Sequence, residues 1–152
     1  MLIKTHLAVT VFFILLFISN VEYQITFAVV ALFATFFADI DSQFSILGRY
    51  KIFRFFQFFV KHRTIIHTFL FLFLVTFFFV LFFPILALPF FLGYASHLMV
   101  DSFTVRGIKP FWPLKKVSSG IIRTGNKSET IVFVVFVLID IFLIFSKIFS
   151  IL

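Results

Sequence analysis

Residues 65–83 read IIHTFLFLFLVTFFFVLFF. The stretch holds no Asp, Glu, Lys or Arg, and His67 is its one ionisable group. Roughly 20 consecutive apolar residues are what an α-helix needs to cross the hydrocarbon of a bilayer. The stretch therefore predicts a membrane-spanning helix. Pro84 follows directly and Pro89 comes soon after. The two prolines predict a tight turn before the next helix.

The rest of the chain has the same character. Of 152 residues, 62% are hydrophobic and 12% charged. Soluble domains average about 45–50% apolar and about 25% charged. That contrast excludes a soluble globular domain, and the hydrophobicity excludes intrinsic disorder. Further apolar runs predict helices over 2–19, 22–38, 85–103 and 130–145. Ser19-Asn20-Val21-Glu22 forms the turn between the first two. The expected fold is all-α: a polytopic membrane helix bundle of about five transmembrane or membrane-embedded helices, a single domain over 1–152. A secretory signal peptide competes for the first run, with Lys4 as its charged start. No small-x-small cleavage site follows Ile18, which argues against it. There is no Cys, so disulfides and thiolate metal sites are excluded. The 30 Phe read as filler for lipid-facing and core positions. No internal repeat, low-complexity linker or nucleic-acid-binding pattern is visible.

Between the second and third spans, residues 48–61 read GRYKIFRFFQFFVK. Tyr50, Arg54, Gln57 and Lys61 recur at helical spacing and form one polar stripe, with aromatic and aliphatic residues around the rest. This predicts an amphipathic helix lying in the membrane interface. The segment 105–127 is polar and broken by Gly107, Pro110, Pro113, Gly120 and Gly125, and reads as a loop.

Charge sets the expected orientation. The formal net charge is +7, from 13 Lys+Arg against 6 Asp+Glu. With alternating crossings, every cation except Lys147 falls on one side. The positive-inside rule makes that side cytoplasmic. The same topology gathers His6, Asp39, Asp41, His62, His67, His97, Asp101 and Glu129 on that side. Ionisable groups at membrane depth cost at least about 2.5 kcal/mol each, so they pair, face a cavity or bind an ion.

The spacings add detail. His97 and Asp101 are four apart and share a helix face. Asp39 and Asp41 cannot share a helical face, but both can reach one cation where a helix ends. Arg63 and His67 are also four apart, and Arg63 suits a phosphate or carboxylate. Each residue has a plainer alternative. His6 can be interfacial, Asp39 and Asp41 a helix-ending turn, and His97 and Asp101 a hydrogen-bonded pair. Glu129 can close a capping box with Asn126. Asp140 lies away from the cluster and receives no role.

Imidazole and carboxylate without thiolate suit a divalent ion, with Zn²⁺ first and Mn²⁺ or Fe²⁺ as alternatives. The candidate ligands are His6, Asp39, Asp41, His62, His67, His97 and Asp101. A metal lowers the pKa of bound water towards about 7. Arg63 can stabilise an anionic transition state. Asp39 and Glu129 join it as candidate catalytic residues. The expected chemistry is metal-assisted hydrolysis of an ester or phosphoester, with the lipid bilayer and an amphiphilic substrate as partners and no nucleic acid.

Three motifs sharpen that expectation. Asp39-Ile40-Asp41 followed by Leu47-Gly48 is similar to a D-I-D…L-G segment. His62-Arg63-Thr64-Ile65-Ile66-His67-Thr68 is similar to H-R-x-x-T-H-S. The run from Gly93 through Tyr94, Ser96, His97 and Asp101 to Thr104 is similar to G-Y-x-S-H-x-x-x-D-x-x-T. With His6 near the start, Trp112-Pro113, and Glu129, their order over residues 5–131 resembles the family of LexA-binding, inner-membrane-associated metal-dependent hydrolases. The resemblance implies a small multi-pass inner-membrane protein and the same seven His and Asp ligands. Ile66 stands where that pattern has Thr, and Thr68 where it has Ser, beside His67. Two other classes remain in play: a transporter, which would need polar groups through the full membrane depth, and a non-enzymatic scaffold or lipid-binding protein, which the basic 48–61 helix would serve.

Overall fold

A computed structural model describes residues 1–40, 65–114 and 116–151. The interfacial helix expected over 48–61 lies outside the described residues, as do Asp41, His62 and Arg63.

The architecture is all-helical. Helix α1 spans Ile3–Phe17 and tightens into a 3₁₀ turn, Ile18–Asn20. Helices α2 (Gln24–Phe37), α3 (Phe69–Phe82), α4 (Pro84–Ser102) and α5 (Lys127–Ile151) follow. No strand occurs among the described residues, only two isolated bridges in the α4–α5 loop. Lipid offers no hydrogen-bond partner to a backbone, so apolar segments close their bonds within the helix. Among the described residues, three segments are long and apolar enough to cross a membrane: Ile3–Asn20, Pro84–Ser102 and Lys127–Phe149. Helices α2 and α3 are apolar but have 14 residues each, about 21 Å at 1.5 Å per residue.

Several boundaries differ from the expectation, with α5 running on to Ile151 past the expected 145, and two of the differences have a local reason. Helix α3 begins at Phe69 instead of 65, because Thr68 caps it. The Thr68 hydroxyl accepts from the Phe71 N–H at 3.1 Å and donates to the Ile65 carbonyl at 2.7 Å. The preceding residues, His67 included, are thereby held in a turn. The expected turn at the two prolines is confined to Phe83. Pro84 takes the first helical position, where its missing N–H is harmless. Pro89 does not break the chain and lies buried inside α4. Membrane helices tolerate such a residue when neighbouring helices surround the freed carbonyl.

Helix α4 is the centre of the packing and touches α1, α2 and α3. Helix α5 packs against α1. The core joins Ala34, Ala38, Leu72, Phe90, Tyr94 and Leu98. Gly93 lets α2 and α4 meet backbone to backbone: a Cβ there would lie 2.0 Å from the Ala31 carbonyl oxygen. Small residues at such crossings are the usual device of helix association in lipid, where close van der Waals contact replaces the hydrophobic drive. Outward faces carry Phe73, Leu74, Phe77, Phe78 and Leu81 on α3, and Ile131, Leu138, Ile141, Phe142 and Phe145 on α5. These exposed apolar residues suit contact with lipid tails.

Candidate metal centre

Each element delivers its polar group to the same end of the bundle. His6 stands in the first turns of α1, Asp39 just past the end of α2, and His67 just before α3. His97 and Asp101 occupy the last turns of α4, one turn apart. His6, His67, His97 and Asp101 are 0–1% exposed. Asp39 differs: its side chain is 21% exposed, so the centre opens on its side.

Four atoms form a small cage. The Nε2 atom of His67 lies 3.7 Å from Asp39 Oδ1 and 3.8 Å from Asp101 Oδ2. The Nε2 atom of His97 lies 3.6 Å and 3.9 Å from the same two oxygens. Ligands about 2.1 Å from a tetrahedral ion sit about 3.4 Å from one another. The four His–Asp separations are close to that spacing. The other oxygen of Asp101 faces away, 3.4 Å from His6 Nε2 and 2.6 Å from the Met1 amino group. The His6 ring stacks on that of His97, with centroids 3.9 Å apart and planes at 9°. Two triads thus have donor atoms close enough to hold an ion: His6, His97 and Asp101, and Asp39, His67 and His97.

The residues fit a divalent ion. Both ring nitrogens of His6 and of His97 are buried without a hydrogen-bond partner. Such groups are costly unless something compensates them. Imidazole and carboxylate donors suit Zn²⁺, Mn²⁺ or Fe²⁺. The electrostatics agree. Burial opposes the charge on Asp39, but the facing imidazoles of His67 and His97 outweigh it and hold its carboxyl well below the ordinary carboxylate range.

Glu129 stands apart from both triads. It opens α5, is 1% exposed and accepts three hydrogen bonds. The Leu2 N–H and the Thr5 hydroxyl donate to Oε1 at 2.6 and 3.0 Å, and the Gly125 N–H donates to Oε2. The capping box takes a modified form: Asn126 Oδ1 accepts from the Lys127 N–H, and Glu129 reaches Gly125 in place of Asn126. Asp140 lies mid-way along α5, away from the triads, with Oδ1 unpartnered.

Of the supporting residues, Thr10 and Thr35 were not singled out in the sequence, while Ser96 and Tyr94 stood in a motif without a role of their own. The Thr10 hydroxyl is 2.8 Å from that of Thr35 and 2.9 Å from that of Ser96. Ser96 donates to the Gly93 carbonyl at 2.8 Å, and Thr35 to that of Ala31 at 3.0 Å. This buried knot ties α1, α2 and α4 beneath the cage. One signal for it exists: Thr10 is four residues from His6, and Thr35 four from Asp39, the helical step that places each directly inward of a donor. Tyr94 donates to the Ile66 carbonyl at 2.7 Å and so pins the turn that carries His67.

The family model described as YdjM inner membrane protein matches residues 1–151. No curated protein and no solved structure matches the chain.

Proposed function

The chain belongs to the YdjM inner membrane protein family, and from that premise we propose that it is a metal-dependent hydrolase acting at the membrane surface. The observation that carries the reading is that His67 and His97 both face Asp39 and Asp101, at four His–Asp separations of 3.6–3.9 Å. A divalent ion held there would supply Lewis acidity and lower the pKa of water to about 7. The protein's part is orientation. His97 and Asp101 are fixed on one helix face, His67 is fixed by Thr68 and Tyr94, and Asp39 sits on the open side. Asp41 and His62 extend the proposed ligand set, and Arg63 is the proposed group for an anionic transition state. Glu129 anchors the wall behind His6.

The partly exposed side chain of Asp39 points to a substrate arriving from the end of the bundle, at headgroup depth. An amphiphilic ester or phosphoester fits such an approach. The same end carries Lys4 and the cations of the 105–127 loop, while the opposite end holds Lys147, which donates to Ser19 at 2.6 Å. That asymmetry supports a cytoplasmic site.

Elemental analysis of protein purified in mild detergent tests the reading, paired with hydrolysis of phosphoester and ester amphiphiles. A stoichiometric divalent ion is expected, with turnover lost on chelation and restored by readdition. His97→Ala, which removes a donor common to both triads, should bring metal content to background. Wild-type protein without stoichiometric metal would overturn the proposal.

A further inference from the structure

The loop between α4 and α5 carries a surface that hydrolysis does not require. Residues 103–127 hold six cations and no acid. Among the described residues, Arg106, Lys116, Arg123 and Lys127 are exposed. Beside them the loop displays large apolar side chains. Ile121 is 91% and Leu114 67% exposed, and Phe111, Trp112 and Val117 stand out with them.

This display is built into an ordered loop. Bridges pair Thr104 with Ile122 and Ile108 with Ser118. Ile108 turns inward and is 2% exposed. Gly107 takes a φ of 59°, a conformation that glycine adopts freely. The Pro110 carbonyl accepts from the Phe69 N–H at 2.8 Å, which fastens the loop to the start of α3. A loop with its own buried residues still leaves Ile121 bare. Large exposed apolar patches on ordered structure mark an interaction surface.

Both ends of the loop continue into helices long enough to cross the membrane. Aromatic and basic residues together are the composition that settles in the headgroup layer. A surface of cations without acids complements anionic lipid. A cleft of about 530 Å³ beside it has Phe69, Leu98 and Met99 on its walls, with Lys116, Ser118 and Ser119 lining it as well. Apolar walls with basic and hydroxyl groups suit a phospholipid.

We propose that residues 103–123 are a docking surface for anionic phospholipid. Trp112, Leu114 and Ile121 settle among the headgroups, and Arg106, Lys116 and Arg123 meet lipid phosphates. This holds whatever reaction the metal centre performs.

Trp112 is the only tryptophan in the chain, so its fluorescence reports this loop alone. The full-length protein is placed in nanodiscs of phosphatidylcholine, with or without phosphatidylglycerol. Quenching is measured with acrylamide from water and with headgroup-labelled nitroxide lipid. Acrylamide quenching should be roughly threefold weaker with phosphatidylglycerol present, and nitroxide quenching correspondingly stronger. The double variant R106E/K116E, checked for unchanged helical content, should lose that difference. Equal acrylamide quenching in both lipids would overturn the proposal. Protection that persists in neutral detergent and grows with protein concentration would assign the surface to a second copy of the chain, and overturn it equally.

Discussion

His97 is common to both triads, while His6 belongs to one of them, beside Asp101 and with its ring stacked on His97. Position along the chain says nothing of this difference, because either histidine could have faced the cage. Glu129 is the second case in which surroundings decide. Its carboxylate is the shared acceptor for three donors drawn from the first turn of α1 and the α4–α5 loop. Glu129→Ala leaves those donors facing a void. Unsatisfied buried groups cost about 1–3 kcal/mol each, so thermal unfolding should move down by several degrees while metal content stays near stoichiometric. Unchanged unfolding with lost turnover would instead favour the catalytic role that its position in the sequence suggests. The histidines and acids were legible because ionisable groups are conspicuous in an apolar chain. The knot of Thr10, Thr35 and Ser96 was not, because hydroxyls are ordinary in membrane helices and their meeting depends on how three helices cross.

At the scale of elements, the five helices among the described residues were legible because lipid allows an apolar run little else than a helix. Their ends were less so. Thr68 stops α3 from extending back through His67 by a hydrogen bond that only the folded turn shows. Pro89 looks like a breaker in one dimension and is buried in α4 in three. The crossing of α2 and α4 at Gly93 matters most for the centre, since α2 carries Asp39 and α4 carries His97 and Asp101. Gly93→Val places side-chain atoms where the Ala31 carbonyl lies. Overpacking of this kind costs about 1–3 kcal/mol. It should also part Asp39 from His97, so metal affinity measured by competition with a chelating dye should fall. Stability lost with affinity unchanged would show that the cage does not depend on this crossing.

At the scale of the whole molecule, the donors come from α1, the end of α2, the turn before α3 and α4, and an ion in the triad of Asp39, His67 and His97 would join three segments that are apart in sequence. Charge asymmetry made the gathering at one end legible. The motifs added Asp41, His62 and Arg63, which lie outside the described residues. The lengths of the helices have a consequence for the bilayer itself. Helices α2 and α3, with 14 residues each, reach about 21 Å against a hydrocarbon layer of about 30 Å. Where they face lipid, the membrane must thin or the helix ends must sink, at fractions of a kcal/mol per Å of mismatch. Shorter-chain lipids relieve that strain. Reconstituted in phosphatidylcholines of increasing acyl length, the protein should be most stable in the thinnest bilayer that still covers α5, and its unfolding temperature should decline as the chains lengthen. A flat dependence would mean that the bundle shields its two short helices from the acyl chains.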